Sequence, residues 1–117
     1  NKYFRIEHPT QPDSYLIHAC LEGPESSVYY RGRAQLTDGR ATIQLPAYFE
    51  ALTRQEGRTV LLTPEGRDPF LLSYEPISDG TFRVYGTQHD GAFSWEVKAV
   101  RADVKELETE ISRSSMS

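Results

Sequence analysis

The chain is poor in the residues that carry chemistry by themselves. It has a single cysteine, Cys20, so it holds neither an internal disulfide framework nor a multi-cysteine zinc site, and its core must rest on packing or association. Its three histidines, His8, His18 and His89, fall in no H-x-H or H-x-x-x-H spacing, and no D-x-D-x-D-G run gathers oxygens around a calcium ion. Basic residues number 13 against 17 acidic, for a net charge of -4, which is the wrong sign for a nucleic-acid footprint. No apolar run approaches the roughly 18 residues of a membrane-spanning helix, so no membrane insertion is expected. The first residues, Asn1 to Arg5, contain no signal-peptide apolar region, and the start at Asn1 in place of Met is what a fragment of a longer chain would give. Internal repeats and low-complexity runs are also missing. These absences predict a protein that is not an enzyme and needs no cofactor or metal.

What is present is strand signal. The 117 residues suffice for one core that buries about two-thirds of the unfolded surface. A short run at 3–8 is closed by Pro9 and Pro12, and a second at 15–22 has apolar residues on both parities, which predicts a strand covered on both sides. Gly23-Pro24 ends it, because Pro24 has no N–H for a central ladder. The runs at 28–37 and 40–46 flank Asp38-Gly39, the pair that tolerates the positive φ of a tight turn, and they predict a hairpin. Pro46 then opens a helix predicted over about 47–56, with Phe49 and Leu52 inward, Glu50 facing Arg54, and Gly57 at its close. Strands resume at 58–64, at 70–78, after Asp79-Gly80, and after Asp90-Gly91. In the last of these Phe93, Trp95, Val97 and Ala99 share one face, which places Trp95 at the centre of the core or at a protomer interface. From Val104 onward glycine, proline and aromatics disappear, and Val104, Leu107 and Ile111 recur at helical spacing. The predicted organisation is a β-sandwich-like domain over 1–103 and a tail over 104–117 that is helical or disordered, the start of a stalk. The fold class is all-β, with about eight antiparallel strands and one short helix.

Charge, aromatics, His18 and Cys20 crowd into residues 18 to 32. His18 and Cys20 share a strand face, but nothing in the sequence supplies the electropositive niche and orienting group that a Cys-His nucleophile requires, so a buried thiol beside a satisfied histidine is expected. Glu22 and Glu25 flank the Gly23-Pro24 corner and, with Arg31 and Arg33, suggest an ion-pair network that clamps the corner to the next strand. Tyr29, Tyr30 and Trp95 are candidate contacts for a glycan or for a second protomer, since tyrosine and arginine are enriched where proteins meet.

The segments HPTQPDSYL, HACLEGPESSVYYRG, LPAYFEAL, RTVLLTP and FSWEVKAVRAD, in that order over residues 8 to 103, resemble domains near the C-terminal ends of phage tail fibre and virion appendage proteins. The resemblance implies a β-rich, usually homotrimeric structural module of the virion, often placed next to a self-cleaving intramolecular chaperone, with a role in host attachment through a surface glycan or protein. It carries over no catalytic residue, and no Ser-Lys cleavage motif of that chaperone is recognisable. The rival expectation is a monomeric carbohydrate-binding module.

Overall fold

A computed structural model describes residues 3–105 and 108–113. Eight strands and one helix turn follow each other as β1 (Tyr3–Glu7), β2 (Tyr15–Ala19), β3 (Ser27–Gln35), β4 (Arg40–Gln44), α1 (Phe49–Leu52), β5 (Thr59–Glu65), β6 (Leu72–Tyr74), β7 (Thr81–Gly86) and β8 (Ala92–Val100). All pairings are antiparallel. β3, β8 and β5 form one sheet, β4, β7 and β6 form a second, and β1 with β2 makes a separate two-stranded ribbon. This is the all-β, sandwich-like class expected from the alternation of the sequence.

The core is the inner face of each sheet. Phe93, Val97 and Ala99 of β8 are buried, and so are Phe82 and Val84 of β7, Ile43 of β4 and Val28 of β3; Phe49 and Leu52 of α1 plug one end. Burying a large apolar side chain is worth roughly 1.5–3 kcal/mol, so β8, which pairs on both sides and buries Phe93 and Val97 with Ala99 beside them, organises the fold. Trp95 lies half-buried on the same face, directly across from Gly32, and meets the ring of Phe82 edge-on at 5.9 Å. A Cβ at position 32 would come within 2.9 Å of the indole, so the glycine is what lets the ring lie across β3.

Several sequence expectations need correction. The chain does turn at Asp38-Gly39, with φ of 54° and 73°, but only Thr37 and Arg40 pair across it. β3 and β4 then part into different sheets, because β3 finds nine partners along β8 and β4 finds five along β7. The Asp79-Gly80 turn is a true hairpin between β6 and β7, also with both φ positive, whereas Asp90-Gly91 carries the chain from β7 across to the other sheet. Helix α1 is one turn long, not the ten or so residues expected over 47–56. Thr53 is already extended at φ −117°, ψ 154°, because it bridges to Arg101, while the Arg54 amide donates to the Val100 carbonyl. Strand β2 is covered on one side only: Leu16 is buried, but Tyr15 and Ile17 are exposed, since nothing packs on the outer side of the ribbon.

The ladder also fixes which main-chain groups remain unpaired at the sheet borders. The Arg101 amide donates to the Ser26 carbonyl and the Leu36 amide to the Gly91 carbonyl, so even-numbered residues of β3 bond to β8. Odd-numbered residues, Tyr29, Arg31 and Arg33 among them, turn their N–H and C=O to the free border. By the same alternation through β8, the free border of β5 belongs to Val60, Leu62 and Pro64. The strand runs on through Pro64 instead of ending there, because the missing N–H faces outward.

The helical tail expected from Val104 falls partly on residues 106–107 and 114–117, which lie outside the described residues. Val104, Lys105 and residues 108–112 carry no helix.

Candidate functional site

The ribbon is seated on the sandwich by an aromatic and histidine cluster. Strand parity sends Phe4 and His18 inward from the ribbon and Tyr30 inward from β3, and Tyr48 just before α1 completes the group. The His18 ring stacks on Phe4 at 5.3 Å and meets Tyr30 and Tyr48 edge-on at 5.7 and 5.8 Å. Nδ1 of His18 lies 2.9 Å from the Ile17 carbonyl, which can only accept, so in the neutral ring Nδ1 carries the proton and Nε2 accepts from the Tyr30 hydroxyl at 2.9 Å. Burial first, and the neighbouring Tyr48 hydroxyl second, push the Tyr30 phenol well above its ordinary value, so it stays protonated and remains a donor. Below the cluster Arg101 lies over the Phe4 ring at 3.8 Å and forks onto Asp103, whose carboxyl it holds below the usual carboxylate range.

A second cluster ties α1 to both neighbouring turns. The Arg58 side chain, 6% exposed, donates to both carboxylate oxygens of Glu50 at 2.9 and 3.1 Å, to the Thr53 hydroxyl and to the Arg54 carbonyl, and it lies over the Phe49 ring. Glu50 in turn accepts from the Gly80 amide. The expected Glu50–Arg54 pair is not formed: with α1 ending at Leu52, Arg54 leaves the helix and donates to the Val104 carbonyl. The Arg58 hydrogen bonds, followed by that of the Gly80 amide, hold the Glu50 carboxyl below its ordinary value of 4.5 against the opposing effect of desolvation. A depressed folded-state value means that the pair's contribution is complete above about pH 4.5 and is lost as the pH falls through the lower folded value. Thermal melts should therefore show a steeper loss of wild-type stability than of Glu50→Gln stability between pH 5 and pH 3; parallel pH profiles would remove Glu50 from the account.

The outer face of the β3–β8–β5 sheet is polar. Arg31 stands across from Glu96, and Leu61 lies beyond it; Arg33 stands across from Ser94 and pairs with Glu65 at 3.2 Å. These residues line a shallow depression of about 600 Å³.

The candidate site residues are thus divided among separate places. Arg31 and Arg33 share the outer face of β3, but Glu22, Gly23, Pro24 and Glu25 lie before its start, and Arg33 is six residues along from Ser27, about 20 Å at the rise of a strand. The partner of Arg33 is Glu65. Of the proposed contact residues, Tyr29 is exposed, Tyr30 is locked to His18, and Trp95 faces the other sheet. Neighbours on a strand face opposite ways, so the Tyr29 and Tyr30 rings lie on opposite faces of β3. Cys20, expected to be buried, is exposed past the end of β2, while Nε2 of His18 is occupied by the Tyr30 hydroxyl. Among the described residues no group of three or more His, Cys, Asp or Glu side chains is placed to hold a metal. What the sequence reading missed is the outer face of the ribbon, where Tyr3, Tyr15 and Ile17 are 66%, 62% and 56% exposed and Arg5 lies over the Tyr15 ring at 4.8 Å. The signal was there: Tyr15 and Ile17 share a parity opposite Leu16 and His18. No family model, no curated protein and no solved structure matches the chain.

Proposed function

We propose that the chain is a structural, self-associating module of a fibre or appendage, of the homotrimeric virion type that its sequence resembles, with host attachment as the purpose of the assembly. The observation that supports this reading is the ribbon. Tyr3, Tyr15 and Ile17 with Arg5 form an exposed apolar, aromatic and arginine-capped face, the composition that distinguishes the centre of protein interfaces. A two-stranded ribbon is marginal alone in water, and covering its outer face by a second copy would stabilise it.

Ile17→Asp tests this directly, because Ile17 points away from the core. Light scattering over a concentration series should give a trimer for the wild-type chain and a monomer for the variant, with the melting temperature of the sandwich little changed. A wild-type monomer at millimolar concentration would sink the reading. The rival, a monomeric carbohydrate-binding module, uses the same exposed Tyr3, Tyr15 and Tyr29 rings as platforms for sugars; a glycan array with specific hits, together with a monomeric wild-type chain, would favour it.

A further inference from the structure

The ribbon and the β3–β8–β5 sheet read as one sheet from which a strand has been left out. Their inner faces are continuous, since His18 of β2 and Tyr30 of β3 join on the core side, and their outer faces carry Ile17 and Tyr29 to solvent. Yet no Cα of β2 comes within 8 Å of a Cα of β3, where paired strands lie about 4.8 Å apart and strands with one between them about 9.6 Å. Between them runs a slot of about 290 Å³, lined from both parities of both walls by His18, Ala19, Val28, Tyr29, Tyr30 and Arg31.

Both walls offer main-chain groups. On β3 these belong to Tyr29 and Arg31. On β2 they belong to residues 15, 17 and 19, because the His8 amide donates to the Ser14 carbonyl and so commits the even-numbered residues of β2 to β1. The Ile17 carbonyl already accepts from Nδ1 of His18 and keeps one lone pair for a further donor. This border of the sheet has no proline to guard it, unlike the one at β5.

We propose that the slot accepts, as an added strand, the C-terminal stretch Glu108-Thr109-Glu110-Ile111 of a second copy of this chain. In extended form that stretch puts Glu108 and Glu110 on one face and Thr109 and Ile111 on the other, a pattern that begins in the sequence at Glu106-Leu107. The slot is divided the same way. Its outer side carries Arg31, which suits the glutamates, and its inner side Val28 and Tyr30, which suit Ile111. Residues 108–111 are exposed and outside any strand, with Ile111 50% exposed, and in their own chain Lys105 and Thr109 line a groove with Pro24 and Arg54, not the slot. Strand addition of this kind draws affinity from main-chain hydrogen bonds and specificity from alternate side chains. Because tail and slot are different surfaces, the contact is head-to-tail, and such a contact makes a ring when its rotation closes, as a trimer does. The proposal rests on the self-association argued above and names the segment that carries it.

A charge exchange in the full chain tests it. Arg31→Glu alone and Glu108→Lys/Glu110→Lys alone should each weaken association roughly tenfold or more, since like charges then face each other. A chain carrying all three substitutions should recover the oligomer by light scattering, and the amides of Tyr29 and Arg31 should regain slow hydrogen exchange in it. If the oligomer forms but both variants associate as the wild type does, self-association stands and this site is wrong. If the amides of the triple variant regain protection while the particle stays monomeric, the tail closes on its own slot and the second-copy proposal is overturned. A wild-type chain that is monomeric with fast-exchanging Tyr29 and Arg31 amides overturns both readings.

Discussion

Phe82→Ala is expected to cost about 3–5 kcal/mol, a large fraction of the roughly 5–15 kcal/mol that stabilises a domain. The ring is 2% exposed and sits on the seam between the sheets, with Trp95 edge-on at 5.9 Å on one side and Tyr74 at 6.4 Å on its own sheet. Removing it loses the transfer free energy of the ring and leaves a cavity that two stiff, hydrogen-bonded sheets cannot close. Trp95 is the only tryptophan, so its emission reports the same seam. Urea unfolding followed by that emission should show a large fall in midpoint with the slope unchanged. A loss below about 1 kcal/mol would mean that the sheets are not packed through Phe82.

Arg58→Ala is the second large effect, at about 2–3 kcal/mol. A fully buried pair costs about 3–5 kcal/mol when one partner is removed, and the figure is lowered here because Glu50 keeps 33% of its side chain in water. The substitution takes one donor from each of four acceptor atoms, leaving Glu50 with the Gly80 amide and the Gln55 side chain, and uncovers the Phe49 ring. A double-mutant cycle with Glu50→Gln separates the ion pair from the rest: the two changes should fall short of additivity by more than 0.5 kcal/mol, the threshold for groups in one network. Strict additivity would reduce Arg58 to a packing residue. Arg58→Lys should recover only part of the loss, because an ammonium cannot fork onto both oxygens of Glu50 while reaching the Arg54 carbonyl.

The alternation of the sequence was enough to place all eight strands near their positions, β6 being shorter than the run expected over 70–78, and to give the inward residues of β4, β7 and β8, because period-two burial is a local property of the chain. Partnership was less legible. Asp38-Gly39 and Asp90-Gly91 carry the same local turn signal as Asp79-Gly80, and only the competition among β7, β8 and the other strands decides that one of the three closes a paired hairpin. The length of α1 failed for a similar reason: Thr53 and Arg54 are as compatible with a helix as with a bridge, and the end of β8 claimed them. In the candidate site, grouping by closeness in sequence brought the corner glutamates to Arg31 and Arg33, although strand rise carries those residues apart. Arg58, eight residues from Glu50 and across a turn, had no periodicity to announce it.

Pro64 gives the molecule a direction. In a sheet with both borders open, any sandwich can stack on any other from either side, and the stack can lengthen without limit. Here the β5 border lacks the donor of Pro64, while the β3 border keeps those of Tyr29, Arg31 and Arg33, only the Ser27 amide being taken by the Glu25 carbonyl. At Pro64 the β5 border is the poorer template for an added strand, and the β3 border the better one.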